Sequence, residues 1–344
     1  MENSSMTAPV GNNVEAIAKL AAKRKALVEQ LSKVIVGQRE VIDNVLLTIF
    51  CGGHGLIVGV PGLAKTLLVR SLGRALDLSF SRVQFTPDLM PSDITGTEIL
   101  QADPVTGERR LEFLPGPIFA NLVLADEINR TPPKTQAAML QTMQEYEVSI
   151  GSKTHKLPMP FHVFATQNPI EMEGTYVLPE AQADRFMFSI HAGYPSNAEE
   201  EQLVRNTTGT EKPDIEPVLN AQEIIDIQNL VRAMPVSDEV VRYAVRLVSH
   251  TRPEDPNAPA YVKEYVRWGA SPRASQYLIL GAKARAAVLG KFCADYEGVK
   301  SVARQVLRHR VLTNFNARAQ KITVNEVIDK LLAEPVPGVP VSRR

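Results

Sequence analysis

Eight residues, Gly59-Val60-Pro61-Gly62-Leu63-Ala64-Lys65-Thr66, restrict the possible folds of this chain more than any other stretch. An apolar run, Gly55-Leu56-Ile57-Val58, precedes them and reads as a buried strand, while residues 67–72 read as the start of a helix. A strand that turns through glycines into a helix is the setting of a phosphate-binding loop. The glycines let the backbone curl until its N–H groups face inward, and the helix N-terminus adds roughly half a positive charge. In such a loop Lys65 reaches the β- and γ-phosphates of a nucleotide and Thr66 ligates Mg2+. Ala64 stands where the general pattern G-x-x-x-x-G-K-[ST] has its second glycine, and it is accommodated there if its dihedrals are already helical.

Apolar periodicity places further elements around the loop. An amphipathic helix is expected over 13–33 and another helix ending near Cys51, with Ile35-Val36-Gly37-Gln38 between them. That segment either wraps an adenine ring or is a plain turn. Strands are expected at 80–85, 120–125, 161–165 and 186–190. Two hairpins interrupt the rhythm, one over 94–114 turning at Asp103-Pro104-Val105-Thr106-Gly107, the other over 147–157 turning at Gly151-Ser152. Thr131-Pro132-Pro133 starts a helix with an N-cap and a proline at the first helical position. Beyond Tyr194-Pro195 only helices are expected, with start signals at Asn220, Ser237, Ser271 and Thr323. This predicts an α/β domain with a parallel sheet of about five strands over 13–194 and an all-α domain over 195–334. Residues 1–12 and 335–344 are expected to be disordered or frayed ends.

Charged residues at strand ends supply candidate chemistry. Asp126 and Glu127 close an apolar run, where burial of two carboxylates is costly without a cation nearby. Asp126 then holds Mg2+ through its water shell and Glu127 polarises an attacking water. Asn168, at the end of the next strand, orients that water or simply makes the turn before Pro169. Arg185 sits beside Asp184, which offers it a local ion pair. Arg273 lies in the first turn of a helix, the wrong end of the dipole for a cation, which favours a ligand such as phosphate.

Composition removes several classes. Lys+Arg and Asp+Glu both total 38, so no net field favours nucleic acid or a membrane surface. The basic run Lys300, Arg304, Arg308, His309, Arg310 and the hairpin residues Lys153, His155, Lys156 read mainly as solvated faces. Cys51 and Cys293 read as buried free thiols of a reducing compartment, and no apolar run approaches a membrane span. A soluble cytoplasmic protein is expected.

Taken together these motifs resemble the AAA+ ATPases, and specifically the MoxR family. The match includes Ile35-Val36-Gly37-Gln38, Gly-Val-Pro-Gly-Leu-Ala-Lys-Thr itself, Phe85-Thr86-Pro87-Asp88-Leu89-Met90-Pro91-Ser92-Asp93, Asp126-Glu127-Ile128-Asn129-Arg130 and Leu178-Pro179-Glu180-Ala181-Gln182-Ala183-Asp184-Arg185-Phe186. The resemblance covers residues 15–334, and within that family Ala64 is no departure. It implies residues 59–66 as Walker A, 122–127 as Walker B, Asn168 as sensor 1, Arg185 as arginine finger and Arg273 as sensor 2. ATP or ADP with Mg2+ would be held by Ile35, Val36, Gly59, Val60, Pro61, Gly62, Leu63, Ala64, Lys65, Thr66, Leu67 and Arg273, with Thr66 and Asp126 on the metal. It further implies a homo-oligomeric ring, usually a hexamer, whose Arg185 completes the neighbour's site. The work would fall on a client protein, together with a von Willebrand factor A domain partner. A nucleic-acid-dependent motor and a nucleotide-switched scaffold with little turnover are the alternatives.

Overall fold

The apolar runs of the sequence assemble into one parallel sheet whose carboxyl edge gathers the candidate residues. A computed structural model of the chain describes residues 10–102, 109–170, 175–210 and 213–335. The expected turn at 103–107, the first nine residues and the end of the tail lie outside them.

The elements begin with α1 (Val10–Ser32), α2 (Arg39–Phe50), β1 (Gly55–Val58), α3 (Lys65–Ala75), β2 (Phe80–Gln84) and α4 (Pro91–Thr95). The hairpin β3 (Gly96–Ala102) and β4 (Arg109–Pro115) precedes β5 (Leu122–Asp126), a 3-10 turn (Ile128–Arg130) and α5 (Pro133–Glu145). The second hairpin, β6 (Glu147–Ile150) and β7 (Lys153–Lys156), leads to β8 (His162–Gln167), α6 (Glu180–Ala183), β9 (Phe188–His191) and α7 (Asn197–Thr208). There follow α8 (Ala221–Ala233), α9 (Asp238–Ser249), α10 (Ala260–Tyr265), β10 (Val266–Trp268), α11 (Pro272–Val288), α12 (Tyr296–Leu307), β11 (Leu312–Thr313), α13 (Phe315–Ala319) and α14 (Val324–Ala333).

The chain forms two compact units, one spanning Ala26–Ile225, the other taking Asp226 onward together with the residues up to Lys25. In the first, the sheet order is β2-β5-β8-β1-β9 and every neighbouring pair is parallel. Central parallel strands are covered on both faces, which is why Leu122-Val123-Leu124-Ala125 is an unbroken apolar run and wholly buried. Phe85, Ile118, Met139, Leu140, Phe161 and Phe186 pack with it as one core. Because all five strands run the same way, the residues following β1, β2, β5 and β8 emerge at one edge of the sheet.

At the opposite edge two histidines are locked beneath the core. His54 Nδ1 accepts from Val163 N–H at 3.0 Å and its Nε2 meets Met143 O at 3.1 Å. His162 Nδ1 meets Gly53 O at 2.8 Å. Each ring nitrogen facing a carbonyl must carry the proton, so both rings fit as neutral tautomers. Burial pushes the His54 imidazole down to about 3, with a smaller contribution from His162, and burial alone pushes His162 to about 4.

The second unit is helical, with a capping box of Thr323 and Glu326 on α14 and a simple cap at α9, where Ser237 accepts from Val240 N–H; Ser271 precedes α11 without a side-chain cap bond. Several expectations need correction. Among these helices β10 and β11 pair as a short antiparallel ladder, too brief to leave a period-two pattern. The helical unit is tied down as far as Glu334, where the frayed end was expected to begin: its carboxylate accepts from Tyr261 OH at 3.0 Å and lies 3.4 Å from His250 Nδ1. Cys293 is exposed, whereas Cys51 is buried. In the first unit, α5 starts one residue later than Thr131 implies: Pro132 is the N-cap, and the buried Thr131 hydroxyl donates to Thr86 O at 3.0 Å instead. The basic run is a solvated face only in part, through Arg304. Arg310 is buried with its guanidinium 5.1 Å from the centre of the Tyr277 ring, and Arg304 pairs with Asp329 at 2.6 Å.

Candidate active site

The loop after β1 is shaped by its close neighbours and by left-handed backbone. A methyl on Gly59 would meet Ala192 O at 2.8 Å, so only glycine lets β9 approach there. Gly62 has φ +84°. Ala64 has φ +53° and ψ +22°, so it is left-handed and not helical, contrary to the condition under which an alanine was expected to fit. Its methyl therefore carries a backbone cost of about 1–2 kcal/mol. Ala64 is also the N-cap of α3 and gives no side-chain cap, and the first turn of α3 holds no acidic residue. A helix start of this kind suits an anion. Lys65 Nζ folds back onto Gly59 O and, at 3.0 Å, Val60 O. Gln38, in left-handed backbone beside Gly37, donates through Nε2 to Leu63 O at 3.2 Å. The Ile35-Val36-Gly37-Gln38 segment thus braces the loop, with Ile35 buried and Val36 half-buried.

The carboxylates stand at the same edge. Asp126 is buried and fully engaged: Thr166 Oγ1 donates to Oδ1 at 2.6 Å, while Oδ2 accepts from Thr66 Oγ1 at 3.2 Å and from Arg82 Nε and Nη2 at 2.9 and 2.7 Å. Glu127 has φ +59°, and its N–H donates to Thr166 Oγ1 at 2.8 Å. That left-handed turn swings its side chain away from the line of β5. Its Oε2 accepts from Gln84 Nε2 at 2.8 Å and pairs with Arg130 Nη1 at 3.1 Å. Arg82 Nη2 also donates to Gln84 Oε1, so a chain of donors joins the two carboxylates along β2.

Thr66 and Asp126 are hard oxygen donors in hydrogen-bond contact. Mg2+ takes such a pair from a protein when phosphate and water complete its shell, so this donor set fits Mg2+.

Asn168 is buried just past β8, with Oδ1 accepting from Ile170 N–H at 3.1 Å. Both of its sequence readings, turn former and site residue at the sheet edge, suit that placement. Leu67 is exposed in the first turn of α3. Arg185 lies elsewhere. Two residues on, Met187 N–H donates to His54 O at 2.8 Å, which puts the Arg185 backbone at the amino edge of β1. The phosphate loop leaves the carboxyl edge of that strand, which pairs as Gly55 with Phe188 and Val58 with His191. Four strand residues span roughly 13 Å. Arg273 belongs to the second unit, as the second residue of α11 behind Ser271 and Pro272.

Arg82, Gln84 and Thr166 were not singled out from sequence, and Gln38 only as part of the segment before α2. A signal existed for two of them: in Phe80-Ser81-Arg82-Val83-Gln84-Phe85 the polar Arg82 and Gln84 alternate with the buried Val83 and Phe85.

Comparison with known proteins gives the family. The family described as "ATPase family associated with various cellular activities (AAA)" matches residues 54–188, and the AAA lid domain matches residues 258–331. Chaperone MoxR1 of Mycobacterium tuberculosis is 41% identical over 325 residues, covering 94% of this chain and 85% of that protein. The chain belongs to the MoxR family of AAA+ ATPases. Protein MoxR of Methylorubrum extorquens is 30% identical, with 90% of this chain and 93% of that protein aligned. A crystal structure of a Cytophaga hutchinsonii protein superposes with a TM-score of 0.86 at 39% identity, covering 94% of this chain and 97% of that one. As a MoxR-family member the chain is an ATPase with an AAA domain and a helical lid. No helix among the described residues is long and apolar enough to cross a membrane.

Proposed function

We propose that this MoxR-family ATPase hydrolyses ATP between copies of itself in a ring and uses the energy to remodel or activate a client protein. In this reading residues 13–194 form the nucleotide-binding domain and 195–334 the lid. The loop residues 59–67 hold the phosphates through Lys65 and through N–H groups other than those of Gly59, which donates to Gln167 O, and Pro61, which has none, with Ile35 and Val36 at the base. Thr66 and Asp126 hold Mg2+, which when bound neutralises phosphate charge. Glu127 takes a proton from the attacking water, Asn168 orients that water, and Arg273 contacts the γ-phosphate. Arg185 serves the site of the adjoining copy.

The placement of Arg185 carries this reading. Its backbone stands at the amino edge of the sheet and the phosphate loop of the same copy leaves the carboxyl edge. An arginine so placed suits a neighbour's site better than its own. Chaperone-like work is supported by the name of the Mycobacterium tuberculosis relative. A partner with a von Willebrand factor A domain rests on the family resemblance, and a cytoplasmic setting on the free thiols.

Mixing two inactive variants tests the shared site. Lys65→Ala and Arg185→Ala should each lose nearly all turnover, the second with ATP binding close to normal. Mixed together they should recover activity, because some interfaces then pair an intact loop with an intact arginine. Failure of the mixture to recover, in a ring that exchanges subunits on a sizing column, would refute the shared site. A pull-down with Glu127→Gln and ATP should retain the client.

A further inference from the structure

A carboxylate offers about four lone-pair sites. For Asp126 they are two on each oxygen, and this chain loads them unevenly: Thr166 alone donates to Oδ1, while Thr66, Arg82 Nε and Arg82 Nη2 crowd three donors onto Oδ2. The threonines are fixed by β8 and by the first turn of α3. Arg82 is different, because it stands on the edge strand β2 and its side chain is 48% exposed. Oδ2 is also the oxygen that Asp126 shares with Thr66, the two residues assigned above to the metal. A cation-bound water that donates to this same oxygen finds both Oδ2 lone pairs taken while the guanidinium stays. The two cations would also repel one another at such a distance.

We propose that Arg82 is a displaceable counter-ion of Asp126, competing with Mg2+ for Oδ2 and so setting the magnesium concentration at which nucleotide is held. Arg82 acts through Asp126 and is a positioning residue. Its exposed side lets the guanidinium turn to solvent when the metal arrives. Leaving Oδ2 also moves Nη2 from Gln84 Oε1, so displacement is felt one residue pair further on, at the Gln84 amide that donates to Glu127. The inference rests on Thr66 and Asp126 holding Mg2+.

The test titrates Mg2+ against binding of a fluorescent ADP to the full chain at constant ionic strength. In Arg82→Gln the half-saturating Mg2+ should fall about tenfold, because a charge-assisted fork no longer competes. ADP binding without Mg2+ should stay close to that of the unaltered chain. Arg82→Lys keeps the charge without the fork and should give a smaller fall of roughly threefold; it carries the test if the glutamine variant does not fold. An unchanged half-saturation in a folded variant overturns the proposal. Asp126→Asn separates this failure from that of the metal assignment. If it abolishes the Mg2+ dependence while Arg82→Gln leaves it unmoved, the metal site stands and the competition is wrong. If Asp126→Asn retains the full dependence, the metal assignment falls and the proposal with it.

Discussion

Gln84 donates to Glu127 across the β2–β5 boundary, Nε2 to Oε2 at 2.8 Å, and thereby holds the carboxylate proposed to activate water. Arg130 holds the same oxygen from the other side. Replacing Gln84 by leucine removes a neutral donor without adding charge. We expect kcat to rise up to roughly tenfold with KM unchanged, since a hydrogen bond to a charged group is worth about 1.5–3 kcal/mol. Steady-state ATPase kinetics decide this; a fall in kcat would mean that Gln84 aims Glu127 and does not restrain it.

Thr166 ties both carboxylates through one hydroxyl, giving its proton to Asp126 and accepting the N–H of Glu127. Thr166→Val keeps the shape and removes the partner of a buried carboxylate oxygen and of a half-buried N–H. It should lower stability by about 1–3 kcal/mol in urea unfolding and cut turnover at least tenfold. Thr166→Ser should restore most of both. Equal losses in the serine and valine variants would point to the methyl group and away from the hydroxyl.

Ala64 sits at φ +53°, a conformation open to glycine. Ala64→Gly trades a strain of about 1–2 kcal/mol against the extra entropy of an unfolded glycine, about 0.5–1 kcal/mol. A net gain of up to about 1 kcal/mol is expected in thermal unfolding, with nucleotide affinity little altered. Ala64→Val should lose stability, since a branched side chain is worse in that region.

The buried histidines make stability depend on acid. Both are neutral in the fold, with pKa values depressed from 6.5 to about 3 for His54 and about 4 for His162. The unfolded chain therefore binds more protons as pH falls. Stability is full above pH 6.5 and declines from there toward the folded values. At pH 5 the loss is roughly 2 kcal/mol per histidine. Urea midpoints at pH 7.5 and pH 5 should differ accordingly, and His162→Asn should shrink the difference. Equal midpoints at the two pH values would contradict the burial argument.

Legibility followed the range of each signal. The strands and the helix starts were readable because period and capping are local, as Thr323 with Glu326 shows. The phosphate loop, Asp126 and Glu127 were readable because they follow apolar strands directly. Arg82 and Thr166 were not, since each matters only through the strand beside β5, and pairing order is invisible until the sheet is assembled. Ala64 misled for a related reason: its left-handed turn is imposed by the loop closing on itself, against the preference of alanine. Thr131 looked like a cap because its competing partner, Thr86 O, lies 45 residues away.

Strand β2 is the margin of the sheet, paired on one side with β5. Margins open first when a protein breathes, because fewer backbone bonds tie them down. Arg82 and Gln84, which neutralise Asp126 and hold Glu127, therefore ride on an edge strand, while Asp126 ends a strand paired on both sides. Mild denaturant should disarm this enzyme before it unfolds it.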